Sequence, residues 1–390
     1  MSVAVNRMPS PLGRRVAAAR HRWAAAAPAR PSTYVLLLAT VGVLNVVSLV
    51  MVLSASSVAS LTNYGSGWYF FQRQVVWTAL GAVAFAVTAR VDYHAWRRFV
   101  RPLLAVSLVL LVLVLVPGIG VYVAGSRRWL GSGSWRFQPT ELAKLALLLY
   151  AADVLTRRAA ELHDWRRVVR PVLVVLAVFA ALVLCQPDMD STLVLGLVVG
   201  TVLVVGGVRI RHLAATGGIA VSLTALLAIA EPYRRARVFA YLHPWSDAGN
   251  TGYQLSQSLI ALGSGGWTGV GLGAGRAKWL FLPNAHTDFI FAIIGEELGL
   301  LGCLLVVALF VAFAVLGTRT ALGASDRFGT LLAAGITVWV VGQAVINIGG
   351  VVGLLPVSGI PLPFVSFGGS ALVFTMAAAG MLGSVARHAR

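Results

Sequence analysis

The run Pro283-Asn284-Ala285-His286-Thr287-Asp288-Phe289-Ile290-Phe291, continued by Ala292-Ile293-Ile294-Gly295-Glu296-Glu297-Leu298-Gly299, decides how this chain is read. Four ionisable side chains sit in or beside a segment apolar enough to enter a membrane. An acid in hydrocarbon costs roughly 2.5–3.5 kcal/mol even on lenient insertion scales, so it persists where it faces a polar cavity or a partner. His286 and Asp288 stand at the mouth of the run, and Glu296 and Glu297 about two turns further in. That is the pattern of a site at a membrane surface.

Working outward, 58% of the 390 residues are hydrophobic and only 11% are charged. Soluble chains carry about 25% charged residues, so the composition is that of a polytopic membrane protein. Apolar stretches of spanning length centre near 34–53, 72–90, 102–118, 141–156, 171–186, 191–208, 212–230, 289–316, 329–349 and 368–385. The expected fold is all-α, with ten transmembrane helices and a long extracytoplasmic loop, residues 231–288, between the seventh and eighth. Residues 1–33 form a basic cytoplasmic tail, 34–385 the transmembrane domain and 386–390 a cytoplasmic end.

The basic residues set the orientation. Arg90, Arg97, Arg98 and Arg101, then Arg157, Arg158, Arg166, Arg167 and Arg170, then Arg209, Arg211, Arg319, Arg327, Arg387 and Arg390 all fall in segments on the side of the N-terminal tail. The positive-inside rule makes that side cytoplasmic and puts the Asp288 loop outside. The net charge of +18 is explained by this topology and by anionic inner-leaflet lipid, which argues against a nucleic-acid partner. The tail has no apolar core and does not read as a cleaved signal. Cys185 and Cys303 lie in or at the ends of apolar spans, against a disulfide framework.

Four outer segments break the apolar background. Gly125-Ser126-Arg127-Arg128-Trp129-Leu130 leads to Arg136-Phe137-Gln138-Pro139-Thr140-Glu141-Leu142-Ala143-Lys144, where Thr140 has the look of a helix cap. Gln186-Pro187-Asp188-Met189-Asp190 is a tight turn in which Asp188 serves as a cap or takes part in chemistry. The long loop holds Arg234, Arg235 and Arg237, then Gly252-Tyr253-Gln254, a glycine-rich run from Gly263 to Gly275, and Arg276 and Lys278. Those glycines match no phosphate-loop or dinucleotide fingerprint, and are expected to allow re-entrant or closely packed backbone. The fourth segment, residues 353–370, is broken by Pro and Gly, and such backbone at membrane depth must be buried or line a cavity. Gln343 and Asn347, one turn apart, point to the same interior.

An outward-facing acid near several guanidinium groups suits an anionic, lipid-linked substrate. Arg binds diphosphate through bidentate charge-assisted hydrogen bonds, and a carboxylate beside it can act as general base towards a hydroxyl. A glycosyl transfer in which an acceptor OH is deprotonated and a lipid diphosphate leaves fits both. A retaining glycosidase needs a second close carboxylate as nucleophile. Asp288 and Glu296 are about 12 Å apart along a helix, too far for such a dyad. Glu296 and Glu297 are therefore assigned to structure or coupling, one facing the interior and the other meeting a polar neighbour such as Lys144 or Asn347.

Arg128-Trp129-Leu130 with Gln138 to Lys144, Gln186-Pro187-Asp188, Gly252-Tyr253-Gln254, Leu282 to Phe289 with Glu296-Glu297, Asn347-Ile348-Gly349, and Pro361-Leu362-Pro363-Phe364 with Gly368-Gly369-Ser370 together resemble the SEDS family (shape, elongation, division and sporulation). The similarity runs from about Ser54 to the end of the tenth span, and the Leu-Pro-Asn-Ala-His-Thr-Asp form is nearer its cell-division branch than its elongation branch. The resemblance implies a multi-pass protein of the bacterial cell membrane that polymerises lipid II with inversion onto the GlcNAc 4-OH. It also implies a class B penicillin-binding protein and other division or elongation proteins as partners. It makes Asp288 the catalytic carboxylate, and Arg128, Trp129, Arg136, Lys144, Arg234, Arg237, Lys278 and His286 substrate contacts. Asp188, Asn347 and Ser366 join the two glutamates in structural or coupling roles. A divalent cation, Mg or Mn, is expected with the diphosphate, and no organic cofactor. One departure stands out: the family continues Gln-Pro-Asp with one residue and then Gly-Thr, whereas this chain has Met189-Asp190-Ser191, which adds an anion and removes easy access to positive φ.

Two other classes share these features. A lipid II flippase also needs a cationic cavity and intramembrane acids. A secondary transporter has broken helices, but the two halves of this chain carry no evident repeat. Polymerisation of lipid II in detergent, with no membrane to cross, separates the first reading from both.

Overall fold

The computed structural model describes residues 32–123, 125–132, 135–162, 164–209, 218, 241, 244–246, 249–250 and 252–389. Helix α1 (Thr33–Tyr64) is capped by the Ser32 hydroxyl, which accepts from the Val35 amide, and it stops at Gly65 with φ 72°. Then come α2 (Tyr69–Arg90), a 3₁₀ segment (Tyr93–Phe99) and α3 (Val100–Leu113). Strands β1 (Gly120–Val123), β2 (Ser126–Ser132) and β3 (Trp135–Phe137) precede α4 (Pro139–Arg157). A π-helical turn, Trp165–Val169, opens into α5 (Arg170–Leu184), followed by α6 (Met189–Val205) and α7 (Tyr253–Ser264). The chain closes with α8 (Ile290–Gly323), α9 (Arg327–Val351) and α10 (Ser370–His388).

Every expected span except the seventh falls on one of these helices, and the seventh, residues 212–230, lies outside the described residues. Among the described residues six helical segments are long and apolar enough to cross a membrane, the π-helical turn and α5 counting as one. Helix α7, with 12 residues, is too short to cross and belongs to the loop expected at 231–288. Thr140 does not cap α4, because the helix starts one residue earlier at Pro139, whose missing N–H suits a first-turn position. The all-α expectation also needs amending: β1, β2 and β3 form a small antiparallel sheet, with Val121 opposite Trp129 and Leu130 opposite Phe137. Strands this short, studded with Arg and Ser, carry no alternating pattern to betray them.

The distribution of polarity is that of a protein solvated by lipid. Val46, Val83 and Val311 are more than half exposed, while Gln74, Lys144, Glu297, Gln343 and Asn347 are buried. With no hydrophobic drive between helices, close contact comes from small residues and interhelical hydrogen bonds. Helices α2 and α10 show both. Thr88 donates to the Ala377 carbonyl at 2.9 Å, and a Cβ on Gly380 would meet Thr88 Oγ1 at 2.0 Å and the Phe85 carbonyl oxygen at 2.5 Å. Gly380→Val should therefore destabilise the protein by about 1–3 kcal/mol through overpacking. Gly42→Ala, where nothing lies within 4 Å, should change the thermal midpoint in detergent little.

Candidate active site at the broken-helix end

Two non-helical segments meet at the start of α8, residues 283–289 and 353–369, and their backbone polar groups need partners that lipid cannot give. Helix α9 supplies two of them. Asn347 donates one amide hydrogen to the Asp288 carbonyl (2.8 Å) and the other to the Ile360 carbonyl (2.7 Å). One turn earlier, Gln343 donates to the Pro361 carbonyl (3.0 Å) and accepts from Lys144 Nζ (3.2 Å) and Trp339 Nε1 (3.1 Å). The segments also bind each other. Ser366 Oγ donates to the Thr287 carbonyl (2.6 Å) and accepts from the Leu362 amide (2.8 Å), and the Phe367 amide donates to the His286 carbonyl (3.0 Å).

This lattice fixes the backbone around Asp288 while its side chain stays half-buried. The His286 ring packs on Phe70 of α2 (centroids 4.4 Å apart) and near Phe367 (5.8 Å). Burial among these rings pushes the imidazole down to about 4, so it is neutral at pH 7 and brings no charge to an anion.

The glutamates organise the glycine-rich run. Glu296 accepts from the amides of Arg276 (2.7 Å) and Ala277 (3.2 Å). Glu297 accepts from Ser54 Oγ (2.6 Å), the Gly273 amide (3.0 Å) and Lys278 Nζ (2.9 Å). The expected neighbours Lys144 and Asn347 are not their partners, and the two carboxylates do not part: a Cβ on Gly275 would meet Glu296 Oε2 at 2.8 Å and Glu297 Oε1 at 2.9 Å, so both turn to the same stretch of loop. Gly299, at φ 68° and ψ −165°, breaks α8 there. The break frees backbone groups that the loop takes up: Val270 N–H binds the Glu296 carbonyl (3.0 Å) and Leu300 N–H binds that of Gly266 (2.9 Å). A Cβ on Gly299 would sit 2.3 Å from the Gly269 nitrogen, so only glycine admits this approach.

The expected cations divide into two groups. Lys278 is buried against Glu297, and Lys144, at 1% exposure, is paired with Glu141 at 2.8 Å. Both are compensated inside the protein and present no free ammonium to a substrate. Arg128 on β2 braces the 186–188 turn, with Nε donating to the Gln186 carbonyl (3.1 Å), Nη2 to that of Pro187, and Nη1 3.7 Å from Asp188. Asp188 caps α6 through the Ser191 amide (3.1 Å) and also accepts from Gln138 Nε2 (3.2 Å). Trp129 is a half-buried member of the sheet. Arg136 on β3 differs: its Nε is buried and has no hydrogen-bond partner among the described residues. Arg234 and Arg237 lie outside the described residues.

Arg73, Phe70, Trp77 and Asp190 also stand at this end, outside the expected site residues. Arg73 on α2 stacks over Tyr69 at 3.7 Å, and Tyr69 stacks on Tyr64 at 3.6 Å. Phe70 and Trp77 of the same helix touch His286 and Trp135, so one stretch of α2 links the Asp288 loop to the strand bearing Arg136. Asp190 Oδ2 accepts from the Gly359 amide at 2.9 Å. A Cβ on Gly359 would stand 3.7 Å from Asp190 Oδ2 and 4.0 Å from Asp288 Oδ2. Arg73 sits in an ordinary aromatic-basic helix start and gave no signal. Asp190 did, as the departure in the Gln-Pro-Asp turn.

The family model for the cell cycle proteins FtsW, RodA and SpoVE matches residues 34–390. The chain belongs to this family. It is 43% identical over 333 residues to the probable peptidoglycan glycosyltransferase FtsW of Geobacter metallireducens, covering 85% of this chain and 89% of that one. It is 41% identical to the stage V sporulation protein E of Bacillus subtilis, covering 91% and 95%. Among solved structures, one described as showing structural coordination of polymerization and crosslinking by a peptidoglycan synthase complex aligns with a TM-score of 0.74 and 30% identity, over 90% of this chain and 96% of that one. The rod shape determining protein RodA of Thermus thermophilus aligns at 0.66 and 28% identity, over 90% and 95%.

The buried Glu297–Lys278 pair gives a test of this site's architecture. Lys278→Met should cost about 3–5 kcal/mol by leaving a buried carboxylate uncompensated. Adding Glu297→Gln to Lys278→Met should recover a large part of the loss. The thermal midpoints of the two singles and the double in detergent check this, and strictly additive losses would speak against a direct pair.

Proposed function

We propose that this chain is a peptidoglycan glycosyltransferase acting on lipid II at the extracytoplasmic face of the cell membrane. In this reading Asp288 is the general base. It takes the proton of the acceptor GlcNAc 4-OH as that oxygen attacks the anomeric carbon of the donor glycan, and the lipid diphosphate leaves from the opposite face with inversion. The observation that carries it is the contrast at Asp288, a backbone tied down by Asn347 beneath a half-buried carboxylate at a helix mouth. A base held within a fraction of an ångström of its target gains from pre-orientation, and displacement by about 1 Å can cost 10²-fold in rate. A diphosphate leaving group needs charge neutralisation, and Arg136, half-buried on β3, is the first candidate, with Arg234 and Arg237 joining it.

Among the described residues no group of three or more His, Cys, Asp or Glu side chains stands ready to hold a metal. A Mg or Mn ion carried with the diphosphate would need only one or two carboxylates from the protein, so it stays part of this reading beside the guanidinium groups. We further infer that both termini are cytoplasmic, from the placement of basic residues, and that the partner is a class B penicillin-binding transpeptidase. The likeness to a polymerization–crosslinking synthase complex supports the partner. The septal role is read from FtsW relatives such as that of Geobacter metallireducens, 43% identical, and the elongation or sporulation paralogue with the same chemistry is the alternative, since the stage V sporulation protein E of Bacillus subtilis is 41% identical.

The test is polymerisation of lipid II by the purified full-length chain in detergent. Asp288→Asn is nearly isosteric and cannot take the proton, so turnover should fall by ~10²–10⁴ with lipid II affinity largely kept. Arg136→Lys keeps the charge and loses the fork, and should slow turnover. Wild-type rates in both would remove Asp288 and Arg136 from the chemistry.

A further inference from the structure

Asp190 and Asp288 come from distant parts of the chain, yet both carboxylates reach Gly359. Asp190 is the second residue of α6, about 200° around the helix from the cap Asp188. Asp188 turns to Ser191 and Gln138, whereas Asp190 turns to the broken segment and accepts from the Gly359 amide at 2.9 Å. An anion in the first turn is stabilised by the helix dipole, so Asp190 offers a charged acceptor and the bond to Gly359 is of the stronger, charge-assisted kind.

The bond does not end at Gly359. The next residue, Ile360, has its carbonyl held by Asn347 Nδ2 at 2.7 Å, and the other hydrogen of that amide holds the Asp288 carbonyl at 2.8 Å. Three hydrogen bonds thus run from the start of α6 through Gly359, Ile360 and Asn347 to the backbone of Asp288. Without the first, the 353–369 segment keeps its ties to α9 and to the 283–289 loop but has, among the described residues, no other hydrogen bond to α6, so Gly359 itself can shift relative to the Asp288 carboxylate.

We propose that Asp190 is a positioning residue: by anchoring Gly359 it fixes where the Asp288 carboxylate meets the acceptor hydroxyl. This rests on the reading of Asp288 as general base. The role needs an acceptor oxygen at 190 and not a proton acceptor, which separates it from catalysis by Asp190 itself.

The test uses the full-length chain with lipid II in detergent, with kcat and KM measured on the monodisperse fraction. Asp190→Ala should lower kcat about 10- to 100-fold with KM within about twofold, as misplacement of a reacting group does. Asp190→Asn keeps an oxygen for the Gly359 amide and should lose less than about threefold, which also removes failure to fold as an explanation. The double variant Asp190→Ala, Asp288→Asn should be no slower than Asp288→Asn alone, because both act on one step. Wild-type kcat in Asp190→Ala, a loss carried by KM, or Asp190→Asn as slow as Asp190→Ala would each overturn the proposal. If Asp288→Asn is slow while Asp190→Ala is fast, only the positioning role fails. If Asp288→Asn runs at the wild-type rate, the reading of Asp288 as base fails and takes the positioning role with it.

Discussion

The site depends on one carboxamide. Two stretches of irregular backbone enter the apolar layer side by side, and each carbonyl left without water or a donor there costs several kcal/mol. Asn347 answers two of them at once, the carbonyls of Asp288 and Ile360. Because a primary amide has two hydrogens in one plane, satisfying both carbonyls also fixes the spacing of the two segments. A purely apolar α9 would leave them unpaired, and the loop would have to move out towards water. The position of Asp288 follows from a hydrogen-bond requirement of the bilayer.

The surrounding parts extend the same logic. Gly299 interrupts α8, and the backbone groups released are taken up by the glycine-rich loop, whose own side-chain partners are Glu296 and Glu297. Buried ion pairs are poor sources of net stability, since desolvation offsets most of the attraction. Lys278–Glu297 and Lys144–Glu141 are therefore read as devices that specify one arrangement. Each links pieces that apolar packing alone would let slide: Glu297 also holds Ser54 on α1, and Lys144 also holds Gln343 on α9.

Much of this was legible in the chain, for identifiable reasons. The spans showed because lipid-facing helices must be apolar for their whole length, and the Asp288 mouth showed because acids are rare there. The broken segment before α10 announced itself through Pro and Gly. The commitments of individual cations did not show. Nothing in the local sequence of Lys144, Lys278 and Arg128 reveals that they meet Glu141, Glu297 and the carbonyls of the 186–187 turn. Lys144 is the instructive case, three residues after its partner, a spacing that serves an exposed helix pair as well as a buried one. The small sheet and the link from Asp190 to Gly359 were invisible for a related reason. Both join residues whose pairing depends on tertiary distance and leaves no periodic trace.

The central claim, that the amide at 347 fixes Asp288 for chemistry, is tested most directly by Asn347→Leu, which keeps the number and branching of the heavy atoms and removes both donors. Lipid II polymerisation and lipid II affinity of the purified variant are the quantities to measure. The account predicts kcat reduced at least tenfold, with affinity near that of the parent protein and a folded, monodisperse chain. A folded Asn347→Leu variant that polymerises at the wild-type rate would contradict it, because Asp288 would then find its place without the bonds on which the site is built.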